Sequence, residues 1–197
     1  MLRKFAIIGH RAQSSGKLNL NDLAGSGGRI DVLARAVNTA LFRSHGMRED
    51  TSIVLHLEGG PGPPRRVCFD GAHIRGVRPD ERTISGYIAK ALKQPVPPIG
   101  HIEQLQDGLW HSGGDLQQTM REWKREGTHI FALDAQGIPF VSENCMKSSV
   151  GFILSDDQPF SAEDWESMEK LEKISLGQSW LQGHSCIAIL HHQMDTD

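Results

Sequence analysis

Apolar positions recur along this chain with two periods, and the alternation between them predicts an α/β fold. Phe5–Gly9 is a short β-rich run and reads as a first strand. Ile30, Leu33, Val37, Ala40 and Leu41 then repeat at helical spacing, with Gly46 where a C-cap belongs. Thr51–Leu57 and Val67–Phe69 read as strands on either side of the turn-rich Gly59–Pro64. Pro79 opens a helix with Asp80 and Glu81 in its first turn and Ile84, Ile88 and Leu92 on one face. The proline-rich stretch Gln94–Gly100 marks a boundary within the domain. A helix is predicted over Asp115–Glu126, burying Leu116, Met120 and Trp123, and strands over Thr128–Leu133 and Val150–Leu154. Ser161 caps a helix predicted to run through Lys173, with Asp164 approximating a capping box. Ile174–Gly177 reads as a short strand and loop. Cys186–Leu190 is continuously apolar, so a strand and a buried helix stay equally open there.

Length and charge sharpen this picture. A chain of 197 residues suits one domain with a sizeable core. No apolar run approaches the roughly 18 residues of a membrane span, and Phe5–Ile8 is too short for a signal-peptide core. A soluble cytoplasmic protein is expected. Cys68, Cys145 and Cys186 are odd in number and lack CxxC spacing, which argues against a disulfide framework or a zinc site. Residues 1–94 hold 15 Lys+Arg against 8 Asp+Glu, a net of +7, whereas 95–197 hold 6 against 16, a net of −10. Such a split points to an anionic partner on the first half. Arginine dominates there, and its planar fork suits phosphate.

Several motifs are weak. Gly9 and Gly16-Lys17 suggest a phosphate loop, but six residues separate the glycines and Leu18 replaces the Mg²⁺-binding hydroxyl. Gly25–Gly28 could present backbone N–H groups at the next helix. No HExxH spacing joins the histidines, so a metal is not expected. Cys186 sits among Ile187, Ala188 and Ile189 and reads as an inert buried thiol. More informative is the polar cluster in the first loop and helix: His10, Arg11, Asn19, Asn21, Asp22, Arg29, Asp31, Arg35 and Asn38. Arginines beside amides and a carboxylate suit a base edge next to phosphates, and His10, Arg11, Asn19, Arg35 and Asn38 are the candidate RNA-binding residues.

The opening FAIIGHRAQSSGKLNLNDLAGSGGRIDVLARAVNTALF resembles the start of the TrmY family, the pseudouridine-54 tRNA N1-methyltransferases. The stretches IRGVRPDERTISGYIAKAL, THIFALDAQG and ISLGQSWLQGHSCIAILHHQMD extend the resemblance in order along essentially the whole chain. It implies a SPOUT-type fold over residues 1–197, a mostly parallel sheet flanked by helices with a C-terminal trefoil knot, and a homodimer. It implies a basic RNA-facing half over 1–94 and an acidic cofactor-binding half over 95–197. S-adenosylmethionine would lie against Leu133, Ser155, Ile174, Ser175, Leu176, Gly177, Gln178, Ser179 and Cys186. The chain departs from the family where Ser155-Asp156-Asp157 replaces a usual Gly-Asp-His, and where Gln178 replaces a common proline. The implied reaction is methyl transfer to N1 of pseudouridine in a structured RNA, the tRNA T-arm. Asp22 is the candidate to take the N1 proton, and Arg29 to stabilise charge on the adjacent carbonyl. The alternatives are a catalytically silent RNA-binding or ribosome-assembly factor, and a nucleotide-dependent enzyme using the His10–Lys17 loop.

Overall fold

The first strand is longer than its apolar run because its ends pair as well as its middle. In the computed structural model, which describes residues 1–142 and 149–196, β1 spans Leu2–Gln13. Phe5, Ala6, Ile7 and Ile8 are all fully buried. Successive side chains point to opposite faces, so a strand covered on both sides reads as a continuous apolar run. Phe5 and Ile7 join one core with Leu33 and Ile187, while Ala6 and Ile8 join another with Met120, Trp123 and Met168.

After β1 come α1 (Ile30–Leu41), β2 (Phe42–Arg43), β3 (Gly46–Met47), β4 (Thr51–Gly59), β5 (Arg65–Asp70) and α2 (Glu81–Leu92). They are followed by β6 (Ile102–Gln106), β7 (Leu109–Gly113), α3 (Leu116–Arg125) and β8 (His129–Pro139). The chain closes with β9 (Ser149–Ser155), α4 (Ala162–Ser167), β10 (Glu172–Ser175) and α5 (Gly183–Asp195). Eight strands form one sheet in the order β10-β8-β9-β1-β4-β5-β7-β6. The first five are mutually parallel and the last three antiparallel. α1 packs against α2 and α5 on one face, and α3 against α4 on the other. This is the mostly parallel α/β architecture expected.

Three local expectations change, and one hairpin is new. Gly46 lies in β3, not at a helix C-cap, because α1 stops at Leu41 and Phe42 turns extended to pair with Met47. The helix capped by Ser161 ends at Ser167 and not at Lys173. Glu172 and Lys173 instead pair in parallel with Phe131 and Ala132 at the sheet edge, where backbone partners outweigh helical propensity. Gln94–Gly100 connects α2 to β6 of the same sheet, so it separates nothing. The hairpin β6–β7 went unread in a polar stretch, although Asp107-Gly108 is a hairpin signal and Gly108 has φ of +70°. The Ser161 capping box itself is present, and the final apolar run is helical. Cys145 lies outside the described residues. No helix among the described residues is long and apolar enough to cross a membrane.

Candidate active site

Parallel pairing brings the C-terminal ends of β10, β8, β9, β1 and β4 to one edge, where α/β sheets bind their ligands. The register there is broken. Adjacent Lys173 and Ile174 of β10 pair with Ala132 and Ile138 of β8, so Leu133–Gly137 bulge out of the sheet. This bulge forms one wall of a cavity of about 250 Å³. Leu133, Asp134 and Ala135 line it from the bulge, and Leu154, Ser155 and Asp156 from the end of β9. Ile174, Leu176, Gly177, Ser179 and Trp180 line it from the segment after β10, and Gly183 and Cys186 from the start of α5. Phe160 and Trp165 close the outer side; their rings meet edge-on at 4.9 Å, and Lys173 Nζ stands 3.8 Å from the Trp165 ring.

Of the nine residues expected here, Leu133, Ser155, Ile174, Leu176, Gly177, Ser179 and Cys186 line one cavity. Ser175 and Gln178 stand behind it. Ser175 Oγ lies 3.2 Å from the carbonyl oxygens of both Ala135 and Gly177, either of which can accept its proton, and Gln178 Nε2 donates to that of Ala135, tying the last loop to the bulge. Ser155 Oγ donates to the Gln158 carbonyl. Burial pushes the Cys186 thiol up to about 11, so it is no nucleophile. Sequence reasoning missed Asp134, Asp156, Trp165 and Trp180. Trp180, a large aromatic between Gly177 and Gly183, was the available signal, and the structure leaves it 78% exposed.

A polar cluster borders the cavity. Asp156 accepts the backbone N–H of His10 at 3.0 Å and meets its Nδ1 at 3.0 Å, while His10 Nε2 lies 3.0 Å from Asp164. The hydrogen bond to Asp156, then that to Asp164, raise His10 to about 9 against the cost of burial. His10 is therefore an imidazolium cross-link between β1, the loop after β9 and α4, with both nitrogens turned inward. Nearby, burial and then Asp164 raise Glu58 to about 7. Arg29 is the only non-glycine residue with positive φ among the described residues, at 69°. It follows Gly28, where a Cβ would lie 1.8 Å from the Arg11 carbonyl oxygen, so only glycine fits. These consecutive left-handed residues put Arg29 Nη1 3.0 Å from Asp157, which also pairs with Arg11, and Arg29 Nε 3.0 Å from Asp31. A strained cation beside a ligand-sized cavity is a feature of a functional site.

Comparison with known proteins decides the family. A family model described as "Putative SAM-dependent RNA methyltransferase" matches residues 2–197. A tRNA (pseudouridine(54)-N(1))-methyltransferase of Methanococcus vannielii is 35% identical over 98% of both chains. The Methanosarcina acetivorans protein of the same name is 37% identical, over 98% of this chain and 91% of its own. The chain belongs to this methyltransferase family. Archaeoglobus fulgidus Nep1, solved with S-adenosylhomocysteine, superposes with a TM-score of 0.71 at 11% identity, covering 100% of this chain and 98% of that one. That likeness establishes the shared fold.

A methyltransferase cavity must suit S-adenosylmethionine, whose sulfonium and ammonium groups are cationic. Among the described residues this one is lined by Asp134, paired with Lys173, and Asp156, paired with His10, and by no lysine, arginine or histidine, with apolar walls for a heterocycle. None of the remaining expected residues is in its lining. Asp22 accepts the N–H groups of Gly25 and Ser26, and those bonds, Ser26's first, hold its carboxyl below the usual range. Asn19 Oδ1 accepts the Asn21 N–H, and Asn38 Nδ2 donates to the Pro79 carbonyl. Arg35 pairs with Asp31 one helical turn away. The charge split overstates the free basic surface of this methyltransferase, because Arg3, Arg48, Arg65 and Arg66 are all buried and engaged.

Proposed function

We propose that this chain methylates N1 of a pseudouridine in a structured RNA, the T-arm of tRNA. In this reading Leu133, Ser155, Ile174, Leu176, Gly177, Ser179 and Cys186 hold S-adenosylmethionine, with Ser175 and Gln178 fixing their loops. The observation that carries the reading is the coincidence, on one sheet edge, of a carboxylate-lined cavity with the strained Arg29 beside it. Full-length relatives bearing that activity's name support it. Bound S-adenosylmethionine supplies an electrophilic methyl group on sulfur.

The chain's own residues then have separate tasks. Pseudouridine joins its sugar through carbon, so N1 keeps a proton, which passes to solvent water as N1 is methylated. Arg29, held against Asp31 and Asp157, stabilises charge growing on the neighbouring carbonyl. Asp22 shapes the loop that delivers Arg29; a carboxylate already accepting two backbone N–H groups is a weak base. Arg11 and Asn19 face the RNA, Arg35 and Asn38 anchor α1 to the start of α2, and His10 positions Asp156. The reading extends to a cytoplasmic homodimer, one domain over 1–197 with its RNA-facing half in 1–94, and a C-terminal knot. β10 lies beyond β8, so the chain recrosses the sheet end after β9, as a knot requires.

The test is mass spectrometry of nucleosides from pseudouridine-containing tRNA transcripts incubated with the enzyme and S-adenosylmethionine. N1-methylpseudouridine is expected. Binding of RNA and S-adenosylhomocysteine with no product would instead make the chain a silent RNA-binding factor. Asp22→Asn should keep near-normal single-turnover rates at saturating RNA; a rate loss that diminishes as pH rises would make Asp22 the base.

A further inference from the structure

A groove further along the same sheet edge has the opposite character to the cofactor cavity. Its sides are Ser15–Lys17, after β1, and Lys93–Val96, after α2, with Pro63 beside them and Arg65 and Leu92 beneath. The walls are built. A Cβ at Gly62 would lie 2.5 Å from Ser15 Oγ, so the β4–β5 turn is pressed onto the Ser14–Ser15 segment. Arg65, 1% exposed, fixes the other wall by donating from Nη1 to the Ala91 carbonyl and from Nη2 to the Gln94 carbonyl at 2.7 Å. Its Nε, like the buried Ser14 Oγ, has no partner. Lys17 and Lys93 are exposed and form no ion pair with any described residue. The lining therefore holds three cations and no carboxylate, over an apolar surface of Leu92, Pro95 and Val96.

Cations at a rim and a rigid apolar floor match the two parts of a nucleotide. We propose that this groove is a second RNA subsite, taking one unstacked nucleotide of the substrate with its base against Pro63, Pro95 and Val96 and its phosphate between Lys17 and Lys93. The proposal rests on the RNA-methyltransferase reading. Gly16-Lys17, which fails as a nucleotide-hydrolysing phosphate loop, gains a task here. It lies a few residues beyond Arg11, so an RNA strand crossing the edge meets Arg29, Arg11 and then Lys17. A phosphate held there fixes the strand's register relative to the cavity.

The experiment measures RNA hairpin binding by fluorescence anisotropy across a salt series, with Lys17→Glu/Lys93→Glu and, as a charge-matched control, Lys124→Glu/Lys170→Glu. The groove variant should bind about tenfold or more weakly, with a log–log salt slope shallower by about one to two. The control should match the parent. S-adenosylhomocysteine affinity should be unchanged in both. Equal weakening in groove and control variants would overturn the subsite, leaving only general attraction. Inorganic phosphate binding that depends on Lys17 and Lys93, with RNA affinity unmoved, would also overturn it. If the parent itself binds no RNA, the functional reading fails first, and the two failures are distinguishable.

Discussion

The two ends of β1 carry ion clusters of similar composition that do different things. At its start, Arg3 donates to Asp195 at 2.6 Å and meets His191 Nδ1 at 3.0 Å, and Arg48 donates to the same carboxylate at 3.1 Å. Burial, then Arg48 and Arg3, push His191 down to about 4, so it is neutral. The two guanidiniums converge on the Asp195 carboxylate, and the cluster locks α5 onto β1. At the far end the groups are paired as well, Asp156 being held by His10 and the Gln158 N–H, but the cluster borders a cavity and its arginine sits in a left-handed conformation. The lesson is that ion pairs close to one strand lock elements together at either end, and that function lies at the end where the locked groups also border a ligand-sized cavity.

The sharpest way to break this comparison is to remove one carboxylate from each end. Asp195→Ala removes the carboxylate shared by two guanidiniums that are each about a tenth exposed or less, leaving Arg48 stranded and Arg3 with only Asp50 at 3.6 Å. A loss of about 3 kcal/mol in urea unfolding is expected, discounted from the cost of orphaning a fully buried charge because Asp195 is itself partly exposed. S-adenosylhomocysteine affinity should stay within about twofold. Asp156→Ala should cost less stability, about 2 kcal/mol, because His10 keeps Asp164. Its ligand affinity, read by calorimetry, should fall roughly tenfold, equivalent to 1.4 kcal/mol. If Asp195→Ala weakened the ligand more than Asp156→Ala, the assignment of the two ends would be reversed.

How far the sequence carried the site follows the same division. Strands buried on both faces announce themselves by composition, so β1, β8 and β9 were legible from runs such as Phe5–Ile8 and Val150–Leu154, while β4 was read from alternation over Thr51–Leu57 although it too is buried on both faces. Helices α2 and α3 were legible from the spacing of their apolar positions; Asp80 and Asp115, read as lying inside them, are their N-caps and accept the N–H groups of Thr83 and Gln118. The β6–β7 hairpin hid because β6 lies at the sheet edge and is largely exposed, which removes the apolar signal. The walls of the cavity came through the resemblance and not through any local pattern. No spacing rule links Leu133, Ser155 and Cys186, which meet only because β8 and β9 are neighbours and α5 returns over their ends. Asp156 was invisible for the same reason: its partner His10 is 146 residues away.

The two ends should also respond to pH with opposite sign. His10 is raised from 6.5 to about 9, so its contribution is complete below about pH 6.5 and is lost as pH rises through 9. Glu58, raised from 4.5 to about 7, works in the same direction over its own window. His191, lowered from 6.5 to about 4, contributes stability that is lost as pH falls through that range, and Asp195 adds to the acid loss. Thermal melts should therefore show an alkaline decline of about 2 kcal/mol between pH 6.5 and 9, reduced from the full linkage value because His10 is only partly buried. His10→Gln should flatten that decline and leave the acid limb in place. An unchanged alkaline limb would mean that His10 is not the proton-bearing cross-link.

The smallest effect concerns Ser155, where the family usually has glycine. Two consequences of Ser155→Gly oppose each other. Removing the side chain opens space in the cavity, which favours the ligand. It also frees the Gln158 carbonyl that the hydroxyl binds, loosening the loop that carries Asp156, at about 1 kcal/mol for the lost hydrogen bond. Glycine at a strand end adds roughly 0.5–1 kcal/mol of backbone entropy. Because the hydroxyl is already committed to Gln158, little usable space is gained, and the loosening should win narrowly. The expected result is a slightly lower melting temperature and S-adenosylhomocysteine affinity within about threefold of the parent, less than 1 kcal/mol. Affinity tightened tenfold or more would show instead that Ser155 crowds the ligand, and that the open end of β1 is partly closed by its own sequence.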